Sequence, residues 1–165
     1  MKIQSLIVLL TCILFLAACL NNDDQADVGS EAETVKSTVE LDSAAVAQRQ
    51  RQVFDAATQA PREFREELKQ VCPHFNSILL TTAETIQLGT RVFNAGGTSL
   101  TNRIYEGTVY KILFTIQDDC MDLSDALQAG LAMAGEKESH EDKAWALRNT
   151  LDLIMGGPPL QPPGA

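Results

Sequence analysis

Histidine is scarce in this sequence. The chain of 165 residues has two, His74 and His140, and neither stands in a His-Glu-x-x-His or comparable metal-ligating pattern. No Cys-x-x-Cys-His occurs, which removes covalently attached c-type haem. There is no Gly-x-Ser-x-Gly and no phosphate-cradling glycine loop. Basic side chains are the minority, 13 against 22 acidic, for a formal charge of −9. Such a balance argues against nucleic acid and against charge-driven binding to anionic lipid. Aromatics make up 5% of the chain, with one tryptophan, Trp145. No run alternates with period two for long, so no strand signal stands out. No internal repeat is visible.

The few candidates for chemistry have simpler explanations beside them. Glu138-Ser139-His140-Glu141-Asp142 can draw a divalent metal, but a capped, solvated helix start accounts for the same residues. His74 follows Cys72-Pro73; with Cys72 in a disulfide, a Cys/His dyad is lost. A b-type haem held by His74 and Met121, Met133 or Met155 is conceivable, yet methionines at helical spacing more often fill a core. Arg62, Arg65 and Lys69 interleave with Glu63, Glu66 and Glu67, an ordinary solvated face. Trp145 lies beside an apolar stripe and reads as core or as an anchor for a partner. Tyr105 and Tyr110 stay undecided between the same two roles. No set of titratable groups converges, so the expectation is no enzyme, with no catalytic residue, cofactor or metal.

What is present begins at the N-terminus. Met1 and Lys2 precede an apolar run over 6–16, broken only by Thr11 and Cys12, and the small residues Ala17 and Ala18 follow. A basic start, an apolar middle and a small-residue end make a secretory signal. The run is short of the roughly 20 residues that span a bilayer. Its last four residues, Leu16-Ala17-Ala18-Cys19, resemble the lipobox of bacterial lipoproteins. The resemblance covers residues 1–19 alone. It implies cleavage before Cys19, lipidation of Cys19 and stable membrane attachment through two or more acyl chains. Position 20 is Leu and not Asp, which by the same resemblance favours the outer membrane, facing the periplasm.

Lys2 is the only charged residue of 1–18, so the remainder carries 12 basic against 22 acidic side chains. Residues 19–41 are acidic and poor in large apolar side chains. Such a stretch is expected to be a disordered tether, because it buries too little to offset its ordering entropy.

From Asp42 the pattern turns helical. Val46, Val53, Phe54 and Ala57 share one face, with Asp42 or Ser43 as cap. Pro61 predicts a kink or restart. Phe64, Leu68 and Val71 continue the stripe, and Pro73 ends it. A further helix is expected over about 74–94, with Phe75, Ile78, Leu79, Thr82, Ile86 and Phe93 on its apolar side. Ala95-Gly96-Gly97 stops it, and Thr98 or Ser99 caps the next. There Leu100, Ile104, Val109, Ile112, Leu113 and Ile116 keep helical spacing. Leu123, Leu127 and Leu131 mark another helix, ended by Gly135. Ser139 to Asp142 resembles a capping box with Asp in place of the usual Glu or Gln. The last helix, about 140–155, presents Ala144, Leu147, Leu151 and Ile154 before Gly156-Gly157-Pro158-Pro159. The expected architecture is all-α, a bundle of four to five helices over 42–157 with a Pro-rich tail over 158–165.

Four cysteines occur. Cys12 leaves with the signal and Cys19 takes the lipid, which leaves Cys72 and Cys120 as an even pair in an exported chain. Two helices of about 20 residues, each roughly 30 Å long, separate them. An antiparallel hairpin returns both cysteines to the same end, so a disulfide is expected.

By architecture alone (lipobox, tether, helical domain, one disulfide) the chain is similar to the pilotins, helical lipoproteins that escort secretin subunits. No pilotin motif occurs in 42–157. The expected role is a non-enzymatic, membrane-anchored module that binds an envelope protein. The alternative is a small-molecule, haem- or metal-binding bundle.

Overall fold

Prolines and glycines set the boundaries of six helices: α1 Glu31–Gln59, α2 Pro61–Val71, α3 Phe75–Asn94, α4 Thr98–Ile116, α5 Met121–Gly135 and α6 His140–Met155. The structure, a computed structural model, describes residues 31–116 and 119–161, with side chains from Asp42 onward. The expected signal and lipobox, Cys19 included, lie outside the described residues. The chain divides into two units between Glu40 and Leu41, and the helical bundle belongs to the second.

The described residues form an all-helical bundle without strands. Six helices exceed the four to five expected because Pro61 restarts the chain. Ala60 is non-helical (φ −134°, ψ 61°), and Pro61 opens α2 where its missing N–H costs nothing. Cys72, forced extended by Pro73 (φ −91°, ψ 116°), closes α2. After α3, Gly96 adopts φ +85°, and Gly97 N–H bonds the Val92 carbonyl at 2.9 Å, an end of Schellman type. Gly97, not Thr98 or Ser99, stands at the start of α4; its carbonyl accepts from Thr101 N–H at 2.9 Å. Ser139 caps α6 as anticipated. Its hydroxyl oxygen accepts from Asp142 N–H at 3.0 Å and donates to Asp142 Oδ2 at 2.7 Å.

Helix α1 begins at Glu31, ahead of the start at Asp42 that the apolar spacing suggests. Residues 42–49 are all exposed, including Val46, which is not part of the core. Of the described α1 side chains only Phe54 and Ala57 are buried, with Val53 packed beside them. Polar contacts to α5 supply the rest: Arg49 Nε to Asp125 Oδ2 at 2.8 Å and Gln50 Nε2 to Gln128 Oε1 at 2.8 Å.

Helix α6 packs against α2, α3, α4 and α5. Residues 150–154 are buried without a break, as they must be when neighbours stand on every side. The α3–α4 hairpin is antiparallel, with Thr85 and Thr108 hydroxyls 3.1 Å apart. Cys72 and Cys120 return to one end, with Cα atoms 5.2 Å apart, and are joined by a disulfide. Val71 and Leu100, assigned to apolar stripes by spacing, are instead 56% and 54% exposed. Among the described residues no helix is long and apolar enough to cross a membrane.

Candidate functional site

Two surfaces stand out. The first is the outer face of α4. Leu100, Arg103, Gly107, Tyr110 and Phe114 follow one another at steps of three and four, which holds them in a single row. All five are exposed, and Phe114 is 81% exposed. The buried residues Thr101, Asn102, Tyr105, Val109, Ile112 and Ile116 occupy the other side of the same helix. Gly107 meets nothing within 4 Å of where a Cβ would stand, so the row has a shallow saddle at its middle. Arg103 and the neighbouring exposed Lys111 give it positive charge on an otherwise acidic chain.

The second is a cleft of about 530 Å³ bordered by α1, the end of α5, α6 and the C-terminal tail. Phe54, Met133, Ala146 and Trp145 supply its apolar lining, and Arg51, Glu136, Lys137 and Asp142 its charge. Arg51 and Glu136 approach to 3.4 Å. Trp145 is half-buried and edge-on to Phe93, with centroids 5.6 Å apart and planes at 74°. Its indole N–H is enclosed and meets no acceptor among the described residues. Behind the ring is a smaller cavity of about 170 Å³, bordered by Thr90, Tyr105 and Arg148. Trp145 therefore forms a wall between two spaces, a role that the choice between core and anchor did not anticipate.

Beside the smaller cavity lies a polar link. Arg148 Nε donates to both carboxylate oxygens of the buried Asp152 at 3.1 and 3.0 Å, and its Nη1 donates to Thr90 Oγ1 at 2.9 Å. Burial pushes the Asp152 carboxyl above its usual 3.8, against the opposing pull of the Arg148 charge and hydrogen bonds. Sequence reasoning missed this pair. The i, i+4 spacing of Arg148 and Asp152 was its only signal.

The other candidates fall apart in space. His74 is exposed, in left-handed backbone (φ +62°), at the start of α3. It does not enter the core, as a haem ligand there would have to. Met121 is 57% exposed at the start of α5, and Met133 borders the cleft. His140 is an exposed first-turn residue of α6. Among the described residues no three His, Cys, Asp or Glu side chains converge on a metal-binding arrangement. Tyr105 is buried against Gly89, and Tyr110 is exposed. Arg65 departs from the solvated face assigned to it: its Nε is enclosed, and its chain packs where a Cβ on Gly156 would stand. Comparison with protein families, curated proteins and solved structures finds no match.

Proposed function

We propose that this chain is an exported lipoprotein, anchored in the outer membrane by lipid on Cys19 and facing the periplasm. Its helical unit is a non-enzymatic accessory module, comparable in role to a pilotin, that docks an envelope protein. The export and anchor in this reading rest on the resemblance of Leu16-Ala17-Ala18-Cys19 to a lipobox; the observation that carries the docking role is the row on α4. Large apolar side chains scattered singly need no explanation, but three left exposed on one face of one helix call for one. Leu100, Tyr110 and Phe114 flank a glycine saddle on one helix, a shape that suits a second helix laid against it. Arg103 and Lys111 select a partner helix whose apolar stripe is bordered by Asp or Glu.

The test is a photo-crosslinker placed at residue 114 of the lipidated, oxidised protein in envelopes, with one at exposed Glu138 as control. The reading requires one dominant envelope protein at 114, absent at 138, joined through a helical segment with acidic flanks. Phe114→Asp should abolish retention of that protein. Folding stability should change by no more than about 0.5 kcal/mol, as for other surface substitutions. Equal background at both positions, or a second copy of this chain at 114, would sink it.

A further inference from the structure

After the glycine turn that ends α6 the chain doubles back along that helix. Asn149 Nδ2 donates to the Leu160 carbonyl at 3.0 Å, and Leu160 N–H donates to Asn149 Oδ1 at 2.8 Å. One amide side chain thus makes the paired bonds that a neighbouring strand's peptide group would make. It reads backbone and is indifferent to the side chain at 160, which is 41% exposed. The same clasp brings Pro159 to the edge of the cleft, which continues past it over Trp145, Phe54, Met133 and Ala146. Proline-containing segments are extended before they bind and lose little entropy on docking. Aromatic-lined grooves are the usual surfaces that take them. Trp145 is a suitable wall, because Phe93 braces it edge-on.

We propose that this cleft is a receptor for an extended, proline-containing segment of a protein partner. The chain's own tail, with Pro159 at one end of the cleft, is the resident occupant there and competes in cis. The inference rests on reading the chain as an interaction module and adds a second, separate contact to it. Two exposed hydrogen bonds hold the tail lightly, so an incoming segment takes over the Asn149 clasp and lays its prolines along Trp145.

The probe is a synthetic peptide of residues 157–163, Gly-Pro-Pro-Leu-Gln-Pro-Pro, and the readout is emission from Trp145, the chain's single tryptophan. It is titrated into the full oxidised chain and into a variant ending at Gly157. The shortened variant should show a saturable change. The full chain should bind about tenfold more weakly or worse, since a tethered tail competes at high effective concentration. Adding Asn149→Ala to the shortened variant should weaken binding about thirtyfold, the worth of two ordinary hydrogen bonds. A peptide with its prolines changed to alanine should also bind more weakly. Should the shortened chain fail to fold, Leu160→Pro in the full chain serves instead, because it deletes one of the two clasp hydrogen bonds and loosens the tail. No saturable change in a folded tail-released variant, or binding indifferent to Asn149, overturns the proposal. Crosslinking at residue 114 is untouched by either result, so failure here and failure of the α4 reading are told apart.

Discussion

Gly130 shows what a single hydrogen atom does in this core. A Cβ there would overlap the side chain of Thr150, which is fully buried and whose hydroxyl donates to the Ala146 carbonyl at 2.9 Å. Alanine gains about 1 kcal/mol over glycine in a helix, but overpacking a stiff, β-branched neighbour costs up to about 3 kcal/mol. Gly130→Ala should therefore lose on the order of 1–2 kcal/mol in urea unfolding. Gly107→Ala, where nothing stands within 4 Å, should gain up to about 1 kcal/mol. Asp152 supplies a pH effect. Its folded-state pKa is raised above the unfolded value, burial outweighing Arg148. Its contribution to stability is thus fully present below about pH 3.8, the unfolded value, and is lost as pH rises through the folded one. Measured against Asp152→Asn, which keeps the shape and does not titrate, the wild-type advantage should shrink as pH climbs from that point. An advantage that grows with pH would mean that the Arg148 pair outweighs burial.

Among the elements, the α3–α4 hairpin and its crosslink were readable beforehand. Helix length and antiparallel return placed Cys72 and Cys120 together, and their Cα atoms are 5.2 Å apart. The disulfide joins the end of α2 to the start of α5 across 48 positions of chain. In the chain-entropy treatment closing such a loop is worth about 4 kcal/mol. Replacing both cysteines by alanine should lower stability by about 2–4 kcal/mol. A thiol assay on the oxidised protein should find neither Cys72 nor Cys120 free. Helix α1 was misjudged. Its apolar spacing at Val46 matched a core face, but spacing reports which residues share a side and not whether a neighbour stands there. Leu100 and Val71 were misplaced for the same reason. The restart at Pro61 and the Ser139 cap were legible because they depend on a few adjacent residues: the missing proline N–H, and a hydroxyl three positions before the N–H it accepts from.

At the scale of the whole molecule, the proposed lipid anchor makes a direct prediction. Metabolic labelling with a fatty acid should mark the wild type, Cys19→Ser should abolish the label, and the variant should leave the membrane fraction. Label retained in Cys19→Ser would remove the anchor from the proposed function. The two proposed contacts, on α4 and in the cleft, lie on different elements, so a substitution in one should leave the other intact. Neither was legible in the sequence. The α4 row was concealed because Leu100 counted toward a core stripe and Phe114 toward none. The cleft is built from side chains between positions 51 and 159, far apart in the chain, and no local pattern joins them. By itself the sequence determined the all-helical class, most helix ends and the cysteine pairing. Those follow from local backbone chemistry, from periodicity and from the length of a helix. Only the tertiary structure decided that the last turns of α6 are enclosed by their neighbours, that one face of α4 is left uncovered and that Asn149 bonds the tail. Burial and long-range pairing depend on which surfaces meet once the helices pack, and no single helix carries that information.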